Sequence, residues 1–231
     1  MRRKIFDKML KWKEDSAGKT ALLIDGARRV GKSYIAEAFA NTYYRSYILI
    51  DFNRAGDEIK DLFEHNLNDL DSFFMYLSAI YGVSLYERES LIILDEVQLF
   101  PRARAAIKFL VADGRFHYME TGSLMSIRKN TEDIVIPSEE RHIRMYPMDF
   151  EEFLWAMNEQ PLINVIRLSF EKKKAMGQAL HRKAMTLFRQ YVIVGGMPQA
   201  VNTYIETKSF EKTDETKRDI LSLYRDRKSV V

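Results

Sequence analysis

Short apolar runs, separated by stretches with helical spacing, fill the first two-thirds of the chain. Ala21–Ile24, Tyr47–Ile50, Leu91–Leu94 and Phe116–Met119 are four such runs, and Ile143–Tyr146 is a weaker fifth. Runs this short and this continuous predict strands buried on both faces rather than half-exposed ones. Between them, Ile35, Ala38, Phe39 and Thr42 fall at i, i+3, i+4 and i+7, as do Leu70, Phe73, Phe74 and Leu77, with Tyr81 one turn on. That spacing puts each set on one face of a helix. Pro101 suits the first turn of a further helix carrying Ala105, Ile107, Phe109 and Leu110. Strands alternating with helices predict an α/β fold with a parallel sheet covered on both sides.

The last third changes character. Asp149-Phe150-Glu151-Glu152 reads as a capping box that opens a helix with Phe150, Phe153, Leu154 and Met157 on one face. After Pro161 no strand pattern returns. Ala184, Leu187, Phe188, Tyr191 and Val192 form another helical stripe, which Gly195-Gly196 stops, and Pro198 can start the next helix. The expected division is therefore a core over residues 1–158 and a small helical, winged-helix-like lid over 159–231.

Composition narrows the class. With 231 residues, 46% hydrophobic and 30% charged, the chain can bury a core, which excludes disorder throughout. It has no cysteine, so it holds neither a disulfide framework nor a thiolate metal site or nucleophile. The longest apolar runs are far too short to span a bilayer, and Asp7, Lys8, Lys11 and Lys13 break up the amino terminus, so no signal peptide is expected. The expected location is the cytoplasm, with no membrane partner. Net charge is only +3, but it is unevenly spread: residues 1–13 and 171–190 each carry +5, and residues 51–71 carry −5. Such blocks are solvated faces or docking surfaces for phosphates and partners.

One segment carries definite chemistry. Gly26-Ala27-Arg28-Arg29-Val30-Gly31-Lys32-Ser33 follows an apolar strand and precedes the amphipathic run from Tyr34 to Thr42. This is the phosphate-binding loop G-x-x-x-x-G-K-[ST] in its required context. Glycines let backbone N–H groups turn inward around an anion without a Cβ clash. The following helix aims the positive end of its dipole at the same anion. Lys32 can reach β- and γ-phosphates, and the Ser33 hydroxyl can ligate Mg²⁺. A second signal, Leu91-Ile92-Ile93-Leu94-Asp95-Glu96, ends a buried strand in two carboxylates. Ligands of open α/β sheets sit beyond the carboxyl ends of the strands, so Asp95 would face the loop and hold Mg²⁺. Glu96 would accept a proton from an attacking water. A third, Phe116-His117-Tyr118-Met119-Glu120-Thr121-Gly122-Ser123, brings Thr121 or Ser123 to a neighbouring strand tip, where a hydroxyl can bond the water or the γ-phosphate.

Together with Leu94-Asp95-Glu96-Val97-Gln98, Tyr146-Pro147-Met148-Asp149-Phe150-Glu151-Glu152-Phe153-Leu154 and Gly195-Gly196-Met197-Pro198, these segments resemble the prokaryotic AAA-type ATPases that carry an AAA domain and then a C-terminal domain of unknown function. The resemblance runs from the Trp12 region to about Tyr224. It implies a P-loop NTPase core with sheet order 5-1-4-3-2, ATP and Mg²⁺ as ligands, and a nucleotide-driven switch. It implies that Lys32 and Ser33 serve phosphate and metal, Asp95 the metal, Glu96 the water, and Thr121 or Ser123 the sensor position. It places Met197 and Pro198 against the adenine, and Gly26 to Tyr34 around the phosphates. An arginine finger would fall on Arg141, although this chain has Glu139-Glu140-Arg141 where many relatives have Ala-Gly-Arg. Relatives run longer, so a truncated member is expected.

Expected partners are ATP or ADP, a protein yet to be identified, a second copy of the chain, and nucleic acid along the basic segment 171–190. The alternative functions are a DNA-binding module regulated by nucleotide, a phosphotransferase to a small acceptor, and a nucleotide-gated scaffold without hydrolysis. The four histidines are scattered, which argues against zinc. Thr216-Lys217-Arg218-Asp219 has the look of a guanine motif but lies in a helical run far from any strand tip.

Overall fold

Three strands of the chain have every residue buried, and they form the middle of one sheet. The computed structural model describes residues 1–123 and 139–225. Its strands are β1 (Ala21–Gly26), β2 (Ser46–Asp51), β3 (Ser90–Asp95), β4 (His117–Gly122) and β5 (Glu140–Met145). All pairs are parallel, in the order β2-β3-β4-β1-β5. Read from the other edge, this is the order 5-1-4-3-2. The central β1, β3 and β4 are buried at all six positions, as the apolar runs of β1 and β3 require, and β4 takes His117, Glu120 and Thr121 into the interior with it. The edge strand β5 is buried only at Met145, and its exposed positions hold Arg141, His142 and Arg144. One-sided cover explains why its pattern is the weakest in the sequence, and why it starts three residues before the expected Ile143.

The connections are helical: α1 (Ile5–Ser16), α2 (Lys32–Tyr43), α3 (Asp57–His65), α4 (Leu70–Tyr81) and α5 (Pro101–Asp113). α1 buries Ile5, Met9 and Trp12, spaced i, i+4, i+7, and the Trp12 indole donates to the Thr20 carbonyl at 3.2 Å. Pro101 sits in the first turn of α5, where its missing N–H has no partner to lose. Phe63, Phe73, Phe74 and Phe116 form a run of edge-to-face rings with centroids 4.8–5.2 Å apart. Each ring buried this way contributes about 1.5–3 kcal/mol. Three ionisable side chains are buried as well: Arg104 of α5 meets Glu140 of β5 at 3.2 Å, and Glu120 of β4 is fully buried. Burial, and then the neighbouring Glu140, drive the Glu120 carboxyl well above the ordinary range, so it is held neutral.

The chain forms two compact units, Ile5–Met145 and Met1–Lys4 with Tyr146–Val231. The division falls after Met145, earlier than the 158/159 boundary that the change of pattern suggests. The reason lies in α6 (Phe150–Ala156). Its Phe153 packs with Met148, Val194, Val201 and Tyr204, and its Leu154 with Leu162, Ile163 and Leu187. The other helices of this unit are α7 (Gln160–Glu171), α8 (Gln178–Val194), α9 (Pro198–Thr207) and α10 (Phe210–Arg225). Its described residues contain no strand, so nothing among them forms the wing of a winged-helix-like unit. The capping box is present: the Asp149 side chain accepts from Glu152 N at 2.9 Å and Glu152 from Asp149 N at 3.1 Å. Glu152 also binds Arg3 at 3.1 Å and Lys4 N at 2.7 Å, which ties the first four residues to this unit. Gly195 ends α8 with φ 79°, and a Cβ on Gly196 would lie 2.2 Å from the Met148 carbonyl oxygen.

Candidate active site

β1 runs to Gly26, and the chain then loops through residues 27–31 before α2 begins. Gly26 lies against β5 so closely that a Cβ would stand 2.2 Å from the Met145 carbonyl oxygen. Arg29 and Gly31 have φ of 61° and 95°, left-handed conformations that turn the loop back on itself. Gly31 is the N-cap of α2 and offers no side-chain acceptor, so the first turn lacks the usual side-chain partner for its N–H groups. Val30 is fully buried and anchors the loop from beneath.

Lys32 is 5% exposed and curls over the loop, its ammonium donating to the carbonyls of Gly26 at 3.3 Å and Ala27 at 3.1 Å. Burial lowers its pKa, and Glu96 and then Asp95 oppose that shift. The two acids are thus the leading electrostatic partners of the loop lysine. The Ser33 hydroxyl, one residue on, donates to Asp95 Oδ1 at 2.9 Å, and the Thr121 hydroxyl donates to the same oxygen. Asp95 is buried, and burial raises its pKa, partly offset by these two hydrogen bonds. Glu96 follows with φ 53°, left-handed, and its N–H meets Thr121 Oγ1 at 3.5 Å. The Gln98 side-chain amide donates to Glu96 Oε2 from the 3₁₀ turn Val97–Leu99.

The tips of β1, β3 and β4 therefore bring together Gly26, Gly31, Lys32, Ser33, Asp95, Glu96 and Thr121. A hydroxyl and a carboxylate oxygen in direct contact form a hard, all-oxygen donor set, which suits Mg²⁺ rather than a soft metal. A close glycine, a left-handed glycine and an uncapped helix start suit a polyphosphate. The residues present fit both groups.

The other expected residues sort differently. Ala27, Arg28 and Arg29 lie in the loop, whereas Tyr34 points outward at 61% exposure. Ser123 is buried just past the end of β4, and of the two sensor candidates it is Thr121 that reaches Asp95. Arg141 is not brought to the loop: it lies opposite Leu22 on β1 and pairs with Asp15 of α1 at 3.4 Å. Leu22 is four residues before Gly26, about 13 Å along a strand. Met197 and Pro198 belong to the helical unit, where Met197 caps α9 and Pro198 opens it. Thr216 to Asp219 lie within α10, on a helix as expected.

Residues that the sequence reading passed over also gather here. Asp25, fully buried one position before the loop, faces His142 Nε2 at 2.9 Å and Arg144 Nε at 3.2 Å on β5. The signal was an acid closing an apolar run, with two bases at i and i+2 on another strand. Gln98 is the second omission, a polar residue inside the turn after the acidic pair.

Residues 18–154 match a family described as AAA domain. A curated relative, the uncharacterized protein MJ1637 of Methanocaldococcus jannaschii, is 27% identical over 200 residues, covering 79% of this chain and 39% of the relative. The chain thus spans about two fifths of that relative's length. Among solved structures, the Aeropyrum pernix ORC1 protein in complex with DNA aligns with a TM-score of 0.46 at 11% identity, over 95% of this chain and 66% of that one. Drosophila ORC bound to DNA aligns with a TM-score of 0.47 at 15% identity, over 94% of this chain and 66% of that one. No helix among the described residues is long and apolar enough to cross a membrane.

Proposed function

Because this chain belongs to the AAA domain family of P-loop ATPases, we propose that it hydrolyses ATP with Mg²⁺ and works as a nucleotide-driven switch. One observation carries the reading: Ser33 and Thr121 both donate to one Asp95 oxygen, and Glu96 and Asp95 lead the fields on the Lys32 ammonium.

The backbone N–H groups of residues 26–31 and the start of α2 bind the phosphates. Lys32 exchanges the carbonyls of Gly26 and Ala27 for the β- and γ-phosphate oxygens. Ser33 and Asp95 would hold Mg²⁺, which would neutralise charge on the phosphate oxygens. Glu96 accepts the proton as a water oxygen forms its bond to the γ-phosphorus, and the bond to the bridging oxygen breaks to leave ADP and phosphate. Thr121 holds Asp95 and meets the N–H of Glu96, which keeps metal ligand and base in register. The carboxylate beside the metal ligand favours water over an external acceptor.

Lys32→Ala abolishes ATP binding, and Glu96→Gln leaves binding intact while stopping turnover. Equal ATP affinity in wild type and Lys32→Ala overturns the reading. Melting shifts with ATP, ADP and GTP, each with Mg²⁺ and with EDTA, test base and metal preference. Only ATP with Mg²⁺ is expected to give both the full shift and phosphate release.

A second reading concerns residues 171–190, whose six basic side chains are all exposed, with Lys183 paired to Glu159 at 2.6 Å. This face suits a polyanion such as DNA. Affinity for a DNA duplex that falls linearly in log K against log salt supports it, and no binding at low salt removes it.

A further inference from the structure

The hydrogen bond that ties down Glu96 comes from a residue with no part in the steps above. Gln98 is 2% exposed, and its side-chain amide nitrogen donates to Glu96 Oε2. Both residues belong to a short turn with its own internal bonds. Leu99 N donates to Glu96 O at 2.9 Å and Phe100 N to Val97 O at 3.2 Å, while the fully buried Val97 pins the turn to the core. Glu96 itself sits at φ 53°, which a non-glycine residue holds only where the surroundings impose it.

A free glutamate samples many rotamers, and a base must stand within hydrogen-bond reach of the proton it takes. Fixing one carboxylate oxygen removes most of that freedom. The donor is buried, reaches back over two residues, and is rooted in a turn that cannot swing independently. We propose that Gln98 is the positioning residue for hydrolysis, its side-chain amide holding one oxygen of Glu96 so that the other meets the attacking water. This inference rests on the ATPase reading of the same site.

Two substitutions separate the hydrogen bond from the packing. Gln98→Met keeps length and most of the volume but cannot donate. Gln98→Glu keeps the shape and sets a second carboxyl against Glu96. In both, KM for ATP and the ATP-induced melting shift stay within about twofold of wild type, because neither substitution touches the phosphate loop. kcat falls roughly ten- to a hundredfold, the loss expected when a catalytic group is misplaced by about an ångström. The same change is then made in a Glu96→Gln background and read by single-turnover release of labelled phosphate, which follows the slow residual reaction left once steady turnover has stopped. There Gln98→Met has less than about a twofold further effect, because the group it orients is already gone.

A wild-type kcat in Gln98→Met overturns the inference. So does an equal loss with and without the Glu96 carboxylate, which would make Gln98 a packing residue only. Wild-type turnover no faster than that of Lys32→Ala defeats the ATPase reading instead, so the two failures are told apart by the wild-type protein alone.

Discussion

Replacing Gly26 with alanine tests whether the loop is seated by steric closeness to β5. A Cβ there would lie 2.2 Å from the Met145 carbonyl oxygen and 3.2 Å from its carbonyl carbon. The obstacle is main chain, held by the β1–β5 pairing that sets Gly26 opposite Met145, so no rotamer change relieves it. Overpacking of this kind costs about 3 kcal/mol. For a chain of this size that lowers Tm by roughly 6–12 °C. Gly82→Ala is the control. Gly82 has a left-handed φ, 63°, but nothing lies within 4 Å of its Cβ position. Its cost is about 1 kcal/mol from backbone conformation alone. The two tryptophans lie in different units, Trp12 in Ile5–Met145 and Trp155 in the helical one. Fluorescence of Trp12 in a Trp155→Phe background therefore follows the unit that contains the loop. Gly26→Ala is expected to melt well below Gly82→Ala and to lose its ATP-induced shift, whereas Gly82→Ala keeps it. Coincident melting curves for the two variants would show that Gly26 has room, and the account of the loop would fail.

Three further outcomes follow from buried ionisable groups. Glu152→Ala strips the carboxylate from a guanidinium that is 6% exposed, and removes the acceptor for Lys4 N and Asp149 N. The expected loss is about 3–5 kcal/mol, read as a fall in the melting temperature followed by Trp155 fluorescence; no shift refutes it. His117 bonds the Tyr44 hydroxyl at 2.7 Å, and burial lowers its pKa from 6.5 to about 4. The unfolded chain therefore takes up the proton first as pH falls, and up to about 3 kcal/mol of stability is lost between pH 6.5 and 4. His117→Phe should flatten that stretch of the Tm–pH curve, and parallel curves would refute the assignment. Glu120 works in the opposite direction: its folded pKa lies well above 4.5, so the unfolded chain releases the proton first and stability declines as pH rises from there. Glu120→Gln should show a smaller fall in urea midpoint between pH 5 and 8 than wild type, and an unchanged fall would refute the buried neutral carboxyl.

What the sequence discloses here depends on whether the cause is local. β1 and β3 are readable because cover on both faces demands unbroken apolar runs, Ala21–Ile24 and Leu91–Leu94, whereas β4 is buried throughout yet shows only a shorter apolar stretch because it carries His117, Glu120 and Thr121. β5 was faint because an edge strand with one covered side carries Arg141, His142 and Arg144. In α1, Lys8, Lys11 and Lys13 mask a narrow buried stripe of Ile5, Met9 and Trp12. The unit boundary is not local at all: α6 follows the sheet in sequence, yet its Phe153 is buried against side chains near 194 and 201.

The site divides the same way. Gly26 to Ser33 and Asp95-Glu96 are contiguous, so the chain alone displays them. Thr121 and Ser123 look alike in the sequence, and only the fold shows that the Thr121 hydroxyl, inside β4, bonds Asp95 while Ser123 lies past the end of that strand. The arginine is a matter of register. Parallel pairing sets Arg141 opposite Leu22 and Arg144 opposite Asp25, so the residue one would pick by motif position is about 13 Å down the strand from the loop. The basic residue that register brings to the loop's edge is Arg144, and the buried Asp25 carboxylate already engages it at 3.2 Å. The basic side chain that register supplies at that edge is therefore already engaged within the fold, and the proposed hydrolysis is assigned instead to Lys32, Glu96 and the two hydroxyls that converge on Asp95.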